Sequence, residues 1–268
     1  MWRILGYAYY EMGNATDKEA FTKGFDAIKK FFSCIEGKNF KTNPDDYKYK
    51  GLLMFKLDQD SLGVQEIEKA IAADPKNCEL NGDIGKNYTK KKKWDKAIVY
   101  YDKKAACPNT KGLTGADYFD LGRAYFYFAA SKQKEAADLK DAAAKTKKEM
   151  EAAELFVKAD TAFSKLCQAS PTFPTGYFFR GNANVQLDPK NEKWSAKPHY
   201  EKALSLVKPE ERTLPSNKSY VIIACEYLGY YYLKNKDNVK AKEYWNIVKE
   251  LDPNNKKAID FFKSPEGK

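Results

Sequence analysis

Histidine and arginine are both scarce in this sequence, and each scarcity excludes a kind of site. His199 is the only histidine among 268 residues, so no zinc site of ordinary spacing can be assembled around it. We interpret it as a surface or half-buried residue at the start of a helix, not as a catalytic base. Of the 47 basic residues only four are arginine, whereas bidentate recognition of phosphates or bases favours the arginine fork. The evenly spread lysines are therefore interpreted as solvated.

Cysteine is present but forms no reactive motif. The five cysteines are odd in number and no two are closer than 29 residues, which excludes a C-x-x-C metal or redox motif. We interpret all of them as small core residues. They are Cys34, Cys78, Cys107, Cys167 and Cys225.

The motifs of the common enzyme classes are also absent. The sequence contains no G-x-S-x-G, no Walker lysine loop, no H-E-x-x-H and no glycine-rich dinucleotide turn. The segment DQDSLG, from Asp58 to Gly63, resembles the beginning of a calcium loop, but it lacks the later glycine and glutamate and falls where two helices must turn. We predict a protein that is not an enzyme and that uses no cofactor and no metal.

Aromatic side chains and charge are abundant. The sequence has 19 tyrosines and 16 phenylalanines, many of them about one helical turn apart, which suits the packing of helix on helix. Hydrophobic residues make up 43% of the chain and charged residues 31%, enough of each for a core and a soluble surface. The formal net charge of +10 admits nucleic acid, an anionic membrane surface or an acidic peptide as a partner.

Glycines flanked by apolar residues and tyrosine recur along the chain. The steps between them are 45, 34, 37, 59 and 48 residues, each equal to 34 or to 34 plus an insertion. A fixed period of this length indicates a repeat architecture. The glycines are Gly6, Gly51, Gly85, Gly122, Gly181 and Gly229.

In five of the six units a second landmark follows, a small residue with a large apolar residue four positions later. Each of these units then closes on a proline, which stops a helix because it has no N–H to donate. The pairs are Gly63 with Ile67, Ala97 with Tyr101, Ala159 with Phe163, Ala196 with Tyr200 and Ala241 with Trp245; the prolines are Pro75, Pro108, Pro171, Pro209 and Pro253.

These landmarks resemble the tetratricopeptide repeat, whose pattern is W-x2-L-G-x2-Y, then A-x3-F, then P, at a period of 34. Trp2, Leu5, Gly6 and Tyr9 match its first half letter for letter. The resemblance covers almost the whole chain. It implies an all-α fold, an α-α superhelix or solenoid of antiparallel helix hairpins with about six units.

We predict a single array over residues 1–268 that ends in a helix or tail at 256–268. The first unit is irregular, because either Gly24 with Ile28 or Ala20 with Gly24 must serve as its second landmark. The fourth unit carries a 25-residue insertion of helix formers with opposite charges four apart, so one hairpin should be elongated. The extension at 131–158 would be either solvated or a coiled-coil-like contact surface. The units are 1–36, 44–76, 77–109, 115–171, 174–209 and 220–255.

Membrane anchoring and a leader are not evident in the sequence. No apolar run approaches the roughly 18 residues that a membrane span needs. The start, MWRILGYAYYEMG, has neither a charged leader nor a cleavage site, and it already reads as the middle of a repeat. We expect a soluble protein, cytoplasmic or else periplasmic or secreted after loss of an upstream signal, with a region upstream of Met1 missing.

The resemblance also implies that the first helices of the hairpins line a concave groove for peptides or helices. Such a face would be aromatic with scattered positive charge, suited to peptides with apolar anchors and a few carboxylates. The carboxylate clamp known in the family is not evident, because Leu52 follows Lys48 at the clamp spacing and Phe178 precedes Asn182. The predicted groove residues are Tyr7, Tyr10, Lys48, Phe55, Lys86, Phe119, Arg123, Phe126, Phe178, Asn182, Tyr230 and Lys234.

The leading functional prediction is therefore a scaffold or adaptor that binds a protein or peptide in this groove. The alternative is binding of a polyanion such as RNA, suggested by the net charge and by the lysine run at Lys90–Lys93. A third possibility is a fragment of an enzyme whose catalytic domain lies upstream; nothing in the sequence supports it.

Overall fold

The computed structural model describes residues 1–14, 18–108 and 112–268. Within these ranges the chain forms helices and turns and no strand, so the predicted all-α fold is confirmed. The chain divides into two compact units, Met1–Leu113 and Thr114–Lys268. Residue 109, the last of the third predicted repeat, and residues 15–17 of the first lie outside the described residues.

The first unit contains three helix hairpins. The pairs that pack together are the first helix with the second, the third with the fourth and the fifth with the sixth. A 3₁₀ turn at Pro75–Leu80 leads into the third hairpin. The helices are α1 (Trp2–Met12), α2 (Lys18–Ile35), α3 (Pro44–Lys56), α4 (Asp60–Ala73), α5 (Asn81–Lys90) and α6 (Trp94–Ala105).

The second unit contains three further hairpins and a C-terminal helix. Its first hairpin is elongated, as predicted, with helices of 23 and 28 residues. A 3₁₀ turn at Pro209–Glu211 lies between the second and third hairpins. The helices are α7 (Gly115–Ala137), α8 (Ala142–Ala169), α9 (Pro174–Leu187), α10 (Lys197–Ser205), α11 (Lys218–Lys234), α12 (Asn238–Leu251) and α13 (Lys256–Lys263).

Capping side chains fix where several helices begin. At α3, Asn43 accepts a hydrogen bond from the backbone N–H of Asp46, and the Asp46 carboxylate accepts one from the N–H of Asn43. Thr114 and Asp117 form the same reciprocal box at α7. Asn255 caps α13 by accepting from the N–H of Ala258. Each cap satisfies backbone donors that the first helical turn leaves without partners.

Three hairpins turn through the same backbone motif. Asp58, Lys92 and Lys236 each adopt the left-handed conformation, with φ of 61°, 56° and 60°. The next residue donates its N–H back to the carbonyl five positions earlier, as Asp237 does to Tyr232 at 2.9 Å. This hydrogen bond closes the end of the first helix and aims the chain into the second. None of the three positions is glycine, the residue this conformation favours.

The glycine of each first helix packs directly against the large residue of the second. A Cβ on Gly122 would lie 2.6 Å from the Phe163 ring, and one on Gly181 would lie 2.4 Å from the Tyr200 ring. In the irregular first hairpin Gly6 meets the carbonyl of Gly24 and the side chain of Ile28, which selects that pair as its second landmark. The absent side chain is therefore what lets the two helices approach closely.

The prediction that all five cysteines are core residues was wrong for two of them, because Cys34 is exposed and Cys78 is only half-buried, whereas Cys107 is buried. Cys78 and Cys107 form a disulfide, with their Cα atoms 5.6 Å apart. It links the 3₁₀ turn before α5 to the second residue after the end of α6, so it joins the two ends of one hairpin. Cys34 is exposed, whereas Cys167 and Cys225 are buried free thiols. Burial raises the pKa of the Cys167 thiol to about 11 and that of Cys225 to about 12, which keeps both protonated.

Candidate binding pocket

The second unit contains a pocket of about 780 Å³, lined by the first helices of its hairpins and by α13. Two aromatic rings of the second helices, Tyr200 and Trp245, also line it. These are the rings that pack against Gly181 and Gly229, so the interior of the hairpins reaches the pocket wall. A concave, mainly apolar surface of this size is typical of a ligand site.

Helix α11 presents one continuous face to the pocket. Its lining residues are Ile223, Glu226, Tyr227, Tyr230 and Leu233. They follow the spacing i, i+3, i+4, i+7 and i+10, which in a helix places them on one side. Ile223 and Tyr230 are 44% and 41% exposed. This face is apolar and accessible.

Helix α9 contributes the amide groups of the pocket. Asn182, Val185 and Gln186 line it, again at helical spacing. The Asn182 side-chain oxygen accepts a 2.8 Å hydrogen bond from the Tyr200 hydroxyl, which fixes the orientation of that amide. An amide carries both a donor and an acceptor, so these two side chains can pair with a peptide backbone. Phe126 of α7 completes this wall.

Acidic side chains dominate the charged part of the pocket. Glu226 of α11 accepts hydrogen bonds from the Lys257 ammonium at 2.5 Å and from the Asn255 amide at 2.8 Å. Asp260 of α13 and Glu266 of the C-terminal tail also line the pocket and are exposed. Neither has an ion-pair partner within the described part of the chain. Three carboxylates against one ammonium give the lining a formal charge of −2.

Buried tyrosines in the pocket wall stay uncharged. Burial, with a smaller contribution from Asp188, raises the pKa of Tyr227 to about 12. Burial also raises the pKa of Tyr200, whose hydroxyl donates to Asn182. Both phenols are therefore protonated at neutral pH and leave the charge of the pocket to its carboxylates. The described residues hold no cluster of three or more histidine, cysteine, aspartate or glutamate side chains that could bind a metal ion.

Comparison with solved structures assigns the fold. The C-terminal part of a tetratricopeptide-repeat-containing protein from Cytophaga hutchinsonii superposes with a TM-score of 0.71 at 29% identity, covering 98% of this chain and 87% of that one. YrrB, described as a tetratricopeptide-repeat protein with an unusual peptide-binding site, gives a TM-score of 0.57 at 14% identity, covering 88% of this chain and 100% of its own. The chain has the tetratricopeptide-repeat fold.

A further structural match is more distant. PilF of Pseudomonas aeruginosa gives a TM-score of 0.51 at 14% identity, covering 98% of this tetratricopeptide-repeat chain and 95% of that chain. No protein-family model matches the sequence, and no curated protein matches it either. No helix in the part of the chain that the structure describes is both long and apolar enough to cross a membrane.

Three of the predicted groove residues of this tetratricopeptide-repeat protein, Phe126, Asn182 and Tyr230, line the pocket. Lys234 is exposed beside them, with its ammonium 5.2 Å from the centre of the Tyr230 ring. The prediction that Phe178 faces the groove was wrong. Its side chain is only 2% exposed, because its ring stacks on Tyr220 of the next first helix. It belongs to the core and cannot contact a partner.

Two further predicted residues of the second unit pack within the protein. The Phe119 ring makes edge contacts with Phe173 and Phe179. The Arg123 guanidinium lies over the Phe119 ring, 5.4 Å from its centre, and pairs with Asp120 at 3.5 Å. Neither lines the pocket.

The other five predicted groove residues belong to the first unit. Tyr7 stacks on Tyr49 with ring centres 4.2 Å apart, and Tyr10 meets the same ring edge-on. Lys48 lies over Tyr49 as well. The other two differ in exposure. The ring of Phe55 packs against Gly63 of α4, whereas Lys86 is exposed.

Several pocket residues were not predicted from the sequence. Ile223, Tyr227 and Leu233 could have been found by extending the spacing of Tyr230 along α11 in steps of three and four. Asp260 and Glu266 lie beyond the last repeat, where the repeat pattern makes no prediction. The charge of the pocket also reverses an expectation: its lining carries more carboxylates than cations, so it does not suit the acidic peptides anticipated from the net charge of +10.

Proposed function

We propose that this tetratricopeptide-repeat protein is a non-catalytic scaffold or adaptor that binds a peptide segment of a partner protein in the pocket of its second unit. A role in protein interaction is what the fold supports in general. The observation that carries the specific proposal is the exposed apolar face of α11, with Ile223 and Tyr230 beside the amides of Asn182 and Gln186. Apolar side chains of a ligand gain from burial there, and its backbone can hydrogen bond to the amides.

The size of the pocket favours a peptide over a single small group. About 780 Å³ can hold several side chains. The aromatic wall supplies rigid contact area, and exposed aromatic residues at the centre of an interface commonly carry most of its binding energy. A similar role for YrrB, which is described as having a peptide-binding site, is consistent with the proposal.

Peptide display tests this proposal. Peptides selected from a random library against the wild-type protein should lose binding to Ile223→Asp, which places an unpaired charge on the apolar face, by about tenfold or more. Val157→Asp is the matched control, since Val157 is 53% exposed on α8 of the same unit and does not line the pocket. Equal binding to both variants, or no selected peptide at all, would refute the proposal.

Polyanion binding is the alternative proposal, and the contacts of two lysines weigh against its main sequence feature. Within the run Lys90–Lys93, Lys91 pairs with Asp58 and Asp60, and Lys93 lies over the Tyr88 ring. Those two lysines are partly committed to the first unit. Binding of RNA should fall steeply as salt rises if this alternative holds. Failure to shift a fluorescent single-stranded RNA at 50 mM salt would remove it.

A further inference from the structure

We infer that the pocket of the second unit selects a cationic partner segment, a peptide in which an apolar side chain is flanked by lysine or arginine. The inference rests on the proposed peptide-binding function and adds the chemistry of the partner. It runs against the net charge of the whole chain, which is +10. The charge of the pocket itself determines which ligands it favours, because interactions between solvated charges are screened beyond about 8 Å at physiological ionic strength.

The carboxylates stand next to the apolar part of the pocket. Asp260 precedes the buried Phe261 of α13, whose ring stacks on Trp245 with centres 5.6 Å apart. Glu226 and Tyr227 are consecutive on α11, so a carboxylate and a ring emerge side by side. A ligand that fills the apolar space therefore brings its neighbouring residues to these carboxylates.

The cations near the pocket do not cancel its charge. Lys257 is the one cation in the lining, and its ammonium is bound to Glu226. Lys234 does not line the pocket, and its ammonium lies 5.2 Å from the centre of the Tyr230 ring. Asp260 and Glu266 keep their charge without an ion-pair partner among the described residues, and an acidic ligand would meet both. Like charges disfavour an acidic ligand there, whereas a lysine or arginine of the ligand can pair with either carboxylate.

The partner is a peptide and not a small organic cation, because the polar groups suit a backbone. Gln186 makes no side-chain hydrogen bond with the described part of the chain, and it stands one turn beyond Asn182 on α9. Two amides one turn apart can each hold a peptide group of an extended or helical ligand. A single ammonium ion would leave both amides and most of the apolar face without contacts.

Asp260 and Glu266 are the rim carboxylates of the pocket, and reversing their charge is the decisive experiment. The double variant Asp260→Lys with Glu266→Lys changes two exposed side chains, so folding should be kept, which a melting curve would verify. Glu243→Lys with Glu250→Lys on α12 changes the charge of the same unit equally, at exposed positions outside the pocket. Each variant is titrated with fluorescent peptides whose binding depends on Ile223.

We expect Ile223-dependent peptides to be enriched in lysine and arginine beside an apolar residue. Their affinity should fall about tenfold or more for the rim variant and less than about twofold for the α12 variant. Ile223-dependent peptides without basic enrichment, or equal affinities for the two variants, would overturn the inference and leave the proposed function standing. Absence of any Ile223-dependent peptide would overturn both.

Discussion

Gly229 of α11 and Trp245 of α12 are in such close contact that a Cβ on the glycine would lie 2.7 Å from the indole nitrogen. The Trp245 side chain is buried and lines the pocket on its other side, and Phe261 stacks on it. One missing side chain thus permits a helix contact, and that contact positions part of the pocket wall. Packing and binding are connected at this residue.

Enlarging Gly229 should therefore destabilise the protein. Gly229→Leu inserts four carbon atoms beside the buried Trp245 ring, where even a Cβ would lie only 2.7 Å from the indole nitrogen. We expect the free energy of unfolding to fall by roughly 1–3 kcal/mol or more, because overpacking forces side chains out of their preferred rotamers. Thermal unfolding followed by circular dichroism measures the change.

Gly115 provides the control for that substitution. A Cβ there would meet its nearest neighbour, the Ser170 hydroxyl, at 3.4 Å, an ordinary contact. Gly115→Ala at the start of α7 should leave stability unchanged or raise it slightly, since alanine favours a helix. An unchanged melting curve for Gly229→Leu would contradict the assigned packing.

The repeat could be predicted from the sequence because its packing is local. Gly181 and Tyr200 belong to one hairpin, and a contact between a glycine and a large residue of the same hairpin recurs in every unit. The rim carboxylates differ. Asp260 reaches the pocket only because α13 folds back onto α12 after the last repeat, and no second copy of that arrangement exists to reveal it.

The disulfide and the burial of Phe178 could not be predicted for a related reason. Cys78 and Cys107 flank one hairpin, and only the antiparallel return of α6 along α5 brings them together. Phe178 has the position of a groove residue in its own helix, but Tyr220 of another hairpin covers it. Sequence spacing describes one helix at a time, whereas these outcomes depend on a second.

Reduction of the Cys78–Cys107 bond should loosen the third hairpin. The bond closes a loop over a separation of 29 residues, and a cross-link of that size stabilises a fold by about 3 kcal/mol through restriction of the unfolded chain. Because repeat proteins unfold in parts, we expect faster amide exchange in α5 and α6 on reduction, with less change in the second unit. Hydrogen exchange with and without a reductant measures this.

A cysteine variant separates the bond from the reagent. Cys78→Ser with Cys107→Ser should behave like the reduced protein, whereas Cys34→Ser, at an exposed thiol, should leave exchange unchanged. Because the bond leaves Cys34, Cys167 and Cys225 free, thiol counting on protein taken directly from cells should find three free thiols. Five free thiols would show that the bond is not formed in the cell.

His199 should make stability depend on pH. Burial, aided by the Arg180 guanidinium and opposed by Asp160, lowers the pKa of this half-buried imidazole. The unfolded chain therefore binds a proton more readily than the folded protein as pH falls through about 6.5, the unperturbed value. Stability should thus decline from pH 7.5 to 5.5.

His199→Gln removes the pH-dependent contribution of the imidazole to stability, so comparing this variant with the wild-type protein tests the prediction. The chain has no other histidine, so the difference between the two proteins isolates this group. Denaturant unfolding at several pH values should give a stability difference between the two proteins that is constant above about pH 7 and changes below it, with the variant losing less stability as the pH falls. Parallel pH profiles would contradict the lowered pKa.

Glycine at Lys236 should stabilise the last hairpin. Lys236 has φ of 60°, a conformation in which its Cβ crowds the following carbonyl. Lys236→Gly removes that crowding, and we expect a gain of about 0.5–1 kcal/mol after the greater entropy loss of glycine on folding. Lys236→Ala loses the same charged side chain but keeps the Cβ, so it should show no such gain. Glycine and alanine differ at this exposed turn only in how well they adopt the left-handed conformation. Equal melting temperatures for the two variants would therefore contradict the prediction and show that any change comes from the lost charge.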